Sequence, residues 1–210
     1  MATEIMVQVA LLILSLLIIY YIYHFSKQNL PKLPTQTRTT FQIDRHLAEA
    51  TRLLNRAKST PDKSKSQTAA KHALTEAQMA ISLNPRDPKP HILKANILEF
   101  MGHQSSALTS LDSALRQPRV KALAARERGE LLVKRAELKL SVNKRRRVDS
   151  AVEDLKEAVK LSEGGCDYKI YYLLSECYEF KGLREEAKKW AIKEALKVGP
   201  RAGPVRIRPS

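Results

Sequence analysis

Residues 171–200, YYLLSECYEFKGLREEAKKWAIKEALKVGP, hold two helical stripes separated by a glycine. Tyr171, Leu174, Ser175 and Tyr178 recur at spacings of three and four, which places them on one face of a helix. Gly182 supplies a turn, after which Ala187 and Ala191 mark a second helix that Gly199 and Pro200 stop. Two antiparallel helices approach closely only where side chains are short, so Ser175 and Ala187 are the expected points of contact. The stretch reads as one helical hairpin.

The pattern recurs toward the N-terminus. His91, Lys94, Ala95, Leu98, Gly102, Ala107, Leu111, Ala114 and Pro118 make a second copy, with Lys94 where Leu is usual. An earlier copy fits Leu47, Ala50, Thr51 and Leu54, then Ala73, Ala77, Ala80 and Pro85, with a polar insertion from Ser59 to Gln67. A further copy fits Leu132, Ala136, Ala151, Leu155 and Ala158, although Arg135 and Lys139 stand where apolar residues are preferred. The first alanines of the four second helices, Ala73, Ala107, Ala151 and Ala187, lie 34, 44 and 36 residues apart.

This combination of aromatic, Leu with a small neighbour, turn glycine, alanines and closing proline resembles the tetratricopeptide (TPR) repeat, whose period is 34 residues. The resemblance covers roughly Asp44 to Pro200 and is strongest in the last copy. It implies an all-α fold, a TPR-like array of about four helix-turn-helix hairpins. Few glycines, one tryptophan and abundant Ala, Leu, Lys and Glu agree with a helical chain.

The resemblance also implies a function and a site. In TPR proteins the first helix of each hairpin lines a concave face that holds another protein. The matching positions are Lys89, Ile92, Leu93, Asn96 and Phe100, then Val133 and Lys134, then Lys169, Tyr172, Leu173 and Phe180. Apolar and aromatic side chains among lysines suit a peptide with hydrophobic anchors and some acidic residues. Leu93 and Leu173 have an alternative use, packing between hairpins without touching a ligand. The family's capture of a chaperone's C-terminal carboxylate needs Lys, Asn, Asn, Lys and Arg at set places. Lys89 matches one basic position, but Leu93 stands at the Arg position and Glu49 at an Asn position, so the full clamp is not expected here.

Upstream, residues 6–23 read MVQVALLILSLLIIYYIY without a charge. A helix of that length spans roughly 27 Å, close to the hydrocarbon thickness of a bilayer. A transmembrane helix over 6–23 is therefore expected, with a short segment 1–5 before it, a linker over 24–40 containing Pro31 and Pro34, a repeat domain over 41–200 and a basic disordered tail over 201–210. The opening MATE lacks the basic residues of a cleavable signal. Lys27, Lys32, Arg38 and Arg45 follow the run whereas Glu4 precedes it, so the body is expected on the cytosolic side of a single-pass protein. The endoplasmic reticulum is the favoured membrane, with a plastid or mitochondrial outer membrane as alternatives.

A net charge of +15 draws a protein toward nucleic acid, anionic headgroups or acidic proteins. The run Lys144, Arg145, Arg146, Arg147 is read as the expanded turn of the third hairpin, shortly after Arg116, Arg119, Lys121, Arg126 and Arg128. It supports a runner-up function, a membrane-associated, ribosome-proximal RNA binder, but no aromatics interleave these charges to stack bases. Cys166 and Cys177 are too few for a disulfide framework and read as reduced thiols. No HExxH, GxSxG, GxGxxG or Walker loop occurs, and the five histidines lack metal-ligand spacing, so no enzyme, cofactor or metal is expected.

Overall fold

The computed structural model describes residue 8, residues 14–18, residue 20, residues 35–162 and residues 168–198. Its helices are α1 (Thr35–Ser59), α2 (Lys63–Leu83), α3 (Pro88–Phe100), α4 (Gln104–Leu115), a 3-10 turn (Arg119–Ala122), α5 (Ala125–Leu161), α6 (Tyr168–Phe180) and α7 (Arg184–Val198). No strand occurs among the described residues, as expected for an all-α, TPR-like array.

The chain divides into two compact units, residues 1–42 and residues 43–210. In the first, the described residues 8, 14–18 and 20 are helical, and Leu14, Leu16, Leu17, Ile18 and Tyr20 are all exposed. The rest of the expected span 6–23 lies outside the described residues, as do residues 24–34, Cys166 and the tail 201–210. Among the described residues no helix is long and apolar enough to cross a membrane. Helix α1 begins at Thr35, within the expected linker 24–40, because no proline follows Pro34 until Pro61.

In the second unit the hairpins pair α1 with α2, α3 with α4, and α6 with α7. The alanines that set the repeat spacing lie in the core: Ala73, Ala107 and Ala151 are fully buried and Ala187 nearly so. Gly102 and Gly182 close the second and fourth hairpins at φ of 82° and 76°, a conformation that glycine adopts without steric cost. The N–H of His103 reaches Leu98 O at 2.8 Å and that of Leu183 reaches Tyr178 O at 3.0 Å, the bonds of a helix end wound back on itself.

The third hairpin corrects the sequence reading. There is no expanded turn. Helix α5 is two antiparallel arms, residues 125–142 and 144–161, which reverse at the single extended residue Asn143 (φ −162°, ψ 89°). Asn143 Oδ1 accepts the Arg146 N–H at 3.1 Å and so caps the second arm. Lys144, Arg145, Arg146 and Arg147 are its first helical turn. The two charges at apolar repeat positions meet a buried partner on that arm: Asp154 lies 2.6 Å from Arg135 and 2.7 Å from Lys139.

The core is three contiguous clusters that follow the hairpins. Ala50, Leu54, Ala73 and Ala77 meet Ile97 of α3; Ala95, Leu98, Ala107 and Leu111 meet Leu131 of α5; Leu155, Ala158, Leu174 and Cys177 join α5 to the last hairpin. Trp190 packs on this third cluster and stacks with Tyr171, ring centroids 6.0 Å apart, so it belongs to its own hairpin. Ile192, on the same helix, is exposed. Burial pushes the Cys177 thiol up to about 11, so it stays protonated and inert at neutral pH.

Candidate partner-binding groove

The first helices of the last three hairpins are linked by ion pairs. Lys134 Nζ lies 2.8 Å from Glu99 Oε2 and donates to Asn96 Oδ1 at 2.6 Å, joining α5 to α3. Lys169 lies 2.6 Å from Glu137, joining α6 to the first arm of α5. Lys144 lies 2.6 Å from Glu176 and 5.1 Å above the Phe180 ring. A concavity of about 550 Å³ opens between these helices, lined among others by Glu99, Glu130, Val133, Lys134, Glu137 and Lys169.

Of the residues expected in the groove, Val133, Lys134 and Lys169 line this concavity. Phe100, Tyr172 and Phe180 are accessible aromatics, with 38%, 51% and 46% of their surface exposed. Asn96 is half-buried under Lys134. Lys89 is exposed at the start of α3, where Asp87 caps its backbone N–H at 2.9 Å. Leu173 is not available: it is buried in the third core cluster, held between α6 and its neighbours. Ile92 and Leu93 are half-buried against the second and first clusters, so packing uses most of their surface.

The acids Glu99, Glu130, Glu137 and Glu176 are not among the positions that the repeat resemblance implies for the groove. A signal for them existed. Glu99 follows Asn96 by three residues and Glu137 follows Lys134 by three, the spacing of one helical face.

The basic run does not gather the arginines before it into one free patch. Lys144 is spent on Glu176, and Arg145, Arg146 and Arg147 face solvent. Arg119 donates to Pro85 O at 2.6 Å, Arg126 pairs with Glu130 at 3.2 Å, and Arg128 pairs with Glu157. Glu49, at the clamp's Asn position, is held by Arg52 at 2.6 Å, and that hydrogen bond keeps its carboxyl below the usual range. No group of His, Cys, Asp or Glu among the described residues has the arrangement to hold a metal ion.

No family model matches the chain, and no curated protein matches it. Solved structures do. A crystal structure of MamA shares 17% identity over 80% of this chain and 95% of its own, with a TM-score of 0.51. A second, described as a crystal structure of MamA protein, shares 18% over 81% of this chain and 92% of its own, also at 0.51. At such identities the likeness concerns the fold, which is TPR-like and all-helical.

Proposed function

We propose that this chain is a TPR-type adaptor whose concave face holds a segment of another protein, and that its N-terminal apolar run tethers it to a membrane. The observation that carries the first part is the set of exposed aromatics, Phe100, Tyr172 and Phe180, on first helices of the array. Two groove lysines, Lys134 and Lys169, already have carboxylate partners in Glu99 and Glu137, and Lys144 of the basic run has Glu176. An acidic residue of a ligand must therefore exchange with a glutamate or meet Lys89. Net affinity then comes mainly from apolar anchors buried against the aromatic rings, with charge setting register.

A partner identified by proximity labelling should lose about 2 kcal/mol of binding, roughly thirtyfold in Kd, in Phe100→Ala or Tyr172→Ala, with the circular-dichroism spectrum unchanged. Unchanged affinity in both variants removes the groove as the binding surface.

The tether is supported by the unbroken apolar run and by the exposure of Leu14, Leu16, Leu17 and Ile18, which together point around more than one side of a helix. The basic residues that follow the run support a cytosolic body, with the endoplasmic reticulum favoured and a plastid or mitochondrial outer membrane as alternatives. In sealed microsomes, added protease should digest the body, and deleting residues 1–26 should release a soluble helical domain. Full protection of the body, or an unchanged membrane fraction after deletion, overturns the tether or its orientation.

A further inference from the structure

Helices α1 and α2 are 25 and 21 residues long, whereas α3 and α4 are 13 and 12. The polar insertion from Ser59 to Gln67 is thus mostly wound into helix, and the first hairpin overruns the repeat. Within the overrun, Ser66 Oγ donates to Ala57 O at 2.7 Å and ties the helices together. Beside this tie lies a concavity of about 300 Å³ between Leu53, Arg56 and Thr60 on one side and Ser64, Lys65, Thr68, Ala69 and His72 on the other.

Its lining is unlike that of the groove and of two further concavities. No carboxylate lines it, whereas Glu99, Glu130 and Glu137 line the groove, Glu153 and Glu157 a third concavity, and Glu49 and Glu76 a fourth. Lys65, Thr68, Ala69 and His72 follow the spacing of one helical face, turned toward Arg56. Among the described residues no ion pair engages Arg56 or His72, and Lys65 has only Asp62 at 3.6 Å, a carboxylate already capping α2. Thr60 and Thr68 give their protons to Arg56 O and Ser64 O. The donors open to a ligand are the guanidinium, the imidazole, the Ser64 hydroxyl and the ammonium, which Asp62 engages only at 3.6 Å. From residue 53 to residue 72 the cations Arg56, Lys58, Lys63, Lys65 and Lys71 stand against the single acid Asp62.

We propose that this pocket of the first hairpin binds a phosphomonoester, with Arg56 and Lys65 gripping the dianion and Leu53 and Ala69 receiving the carbons next to the ester oxygen. A planar guanidinium gives two parallel hydrogen bonds to phosphate oxygens. The surrounding excess of cations raises the local concentration of the anion. A phosphate on a lipid headgroup and one on a soluble ester present the same chemistry to these side chains.

The test is protection of lysines from acylation in the full chain, read by mass spectrometry. One arm adds sn-glycerol 3-phosphate; the other reconstitutes the protein in phosphatidylcholine vesicles with or without phosphatidic acid. Lys65 should be protected saturably while Lys58, outside the pocket, is not. Arg56→Gln should raise the midpoint about tenfold or more, and Lys58→Gln, which removes the same charge, should leave it nearly unchanged. Protection by the soluble ester alone assigns a soluble ligand; protection by phosphatidic acid alone assigns a lipid. If Lys65 is protected no more than Lys58 in both arms, or if protection survives Arg56→Gln or falls equally in Lys58→Gln, the proposal is overturned. Circular dichroism of each variant separates loss of binding from loss of fold.

Discussion

Asp154→Ala should destabilise the protein by about 3–5 kcal/mol, measured as a shift in the urea midpoint at unchanged slope. Asp154 is buried, and both its oxygens are engaged: Oδ1 accepts Arg135 Nη2 at 2.6 Å, and Oδ2 accepts Arg135 Nε at 2.9 Å and lies 2.7 Å from Lys139 Nζ. Burial alone lowers the Arg135 pKa, but its bonds and attraction to Asp154, and then to Asp112 at 3.3 Å, more than offset this. Truncating Asp154 leaves two largely buried cations with one carboxylate, Asp112, which engages only Arg135. Replacing Arg135, Lys139 and Asp154 together by leucines should recover much of the loss, since a buried ion cluster costs desolvation that apolar side chains do not. A loss below about 1 kcal/mol for Asp154→Ala would show the cluster to be solvated.

The second large effect is expected at Leu174, which is fully buried where α6 meets the second arm of α5. Leu174→Ala removes transfer energy and leaves a cavity, at a cost of about 2–5 kcal/mol. In a linear array each hairpin contacts only its neighbours, so the loss should be concentrated there. Amide exchange should accelerate from Ala125 to Val198 while α2 keeps most of its protection. Uniform acceleration along the chain would mean that the hairpins open only together.

Much of this architecture is legible in the sequence for a definite reason. Ala73, Ala107, Ala151, Ala187, Gly102 and Gly182 are dictated by the backbone itself, by close approach or by positive φ, and such demands admit few residue types. The reversal at Asn143 uses neither glycine nor proline and left the basic run misplaced by one structural level. Arg135 and Lys139 look like defects of the repeat because Asp154 is on the other arm, and nothing nearby in sequence announces it. The same holds for the groove. Its aromatics follow from helical register, whereas the pairing of Lys134 with Glu99 and of Lys169 with Glu137 crosses between helices. Leu173 and Leu174 are adjacent apolar residues on an inner helix, and register alone does not say that both are covered.

The position of Trp190 has an optical consequence. It is the one tryptophan in 210 residues, stacked on Tyr171 with Lys193 4.4 Å over its ring, and its indole N–H is buried without a partner among the described residues. Its emission therefore reports the wetting of the last hairpin and of the cluster it shares with the third, and is blind to the first two, whereas ellipticity at the helix band weighs every residue alike. When the array is heated, a gap between the two melting curves measures how loosely the terminal hairpin is coupled to the rest.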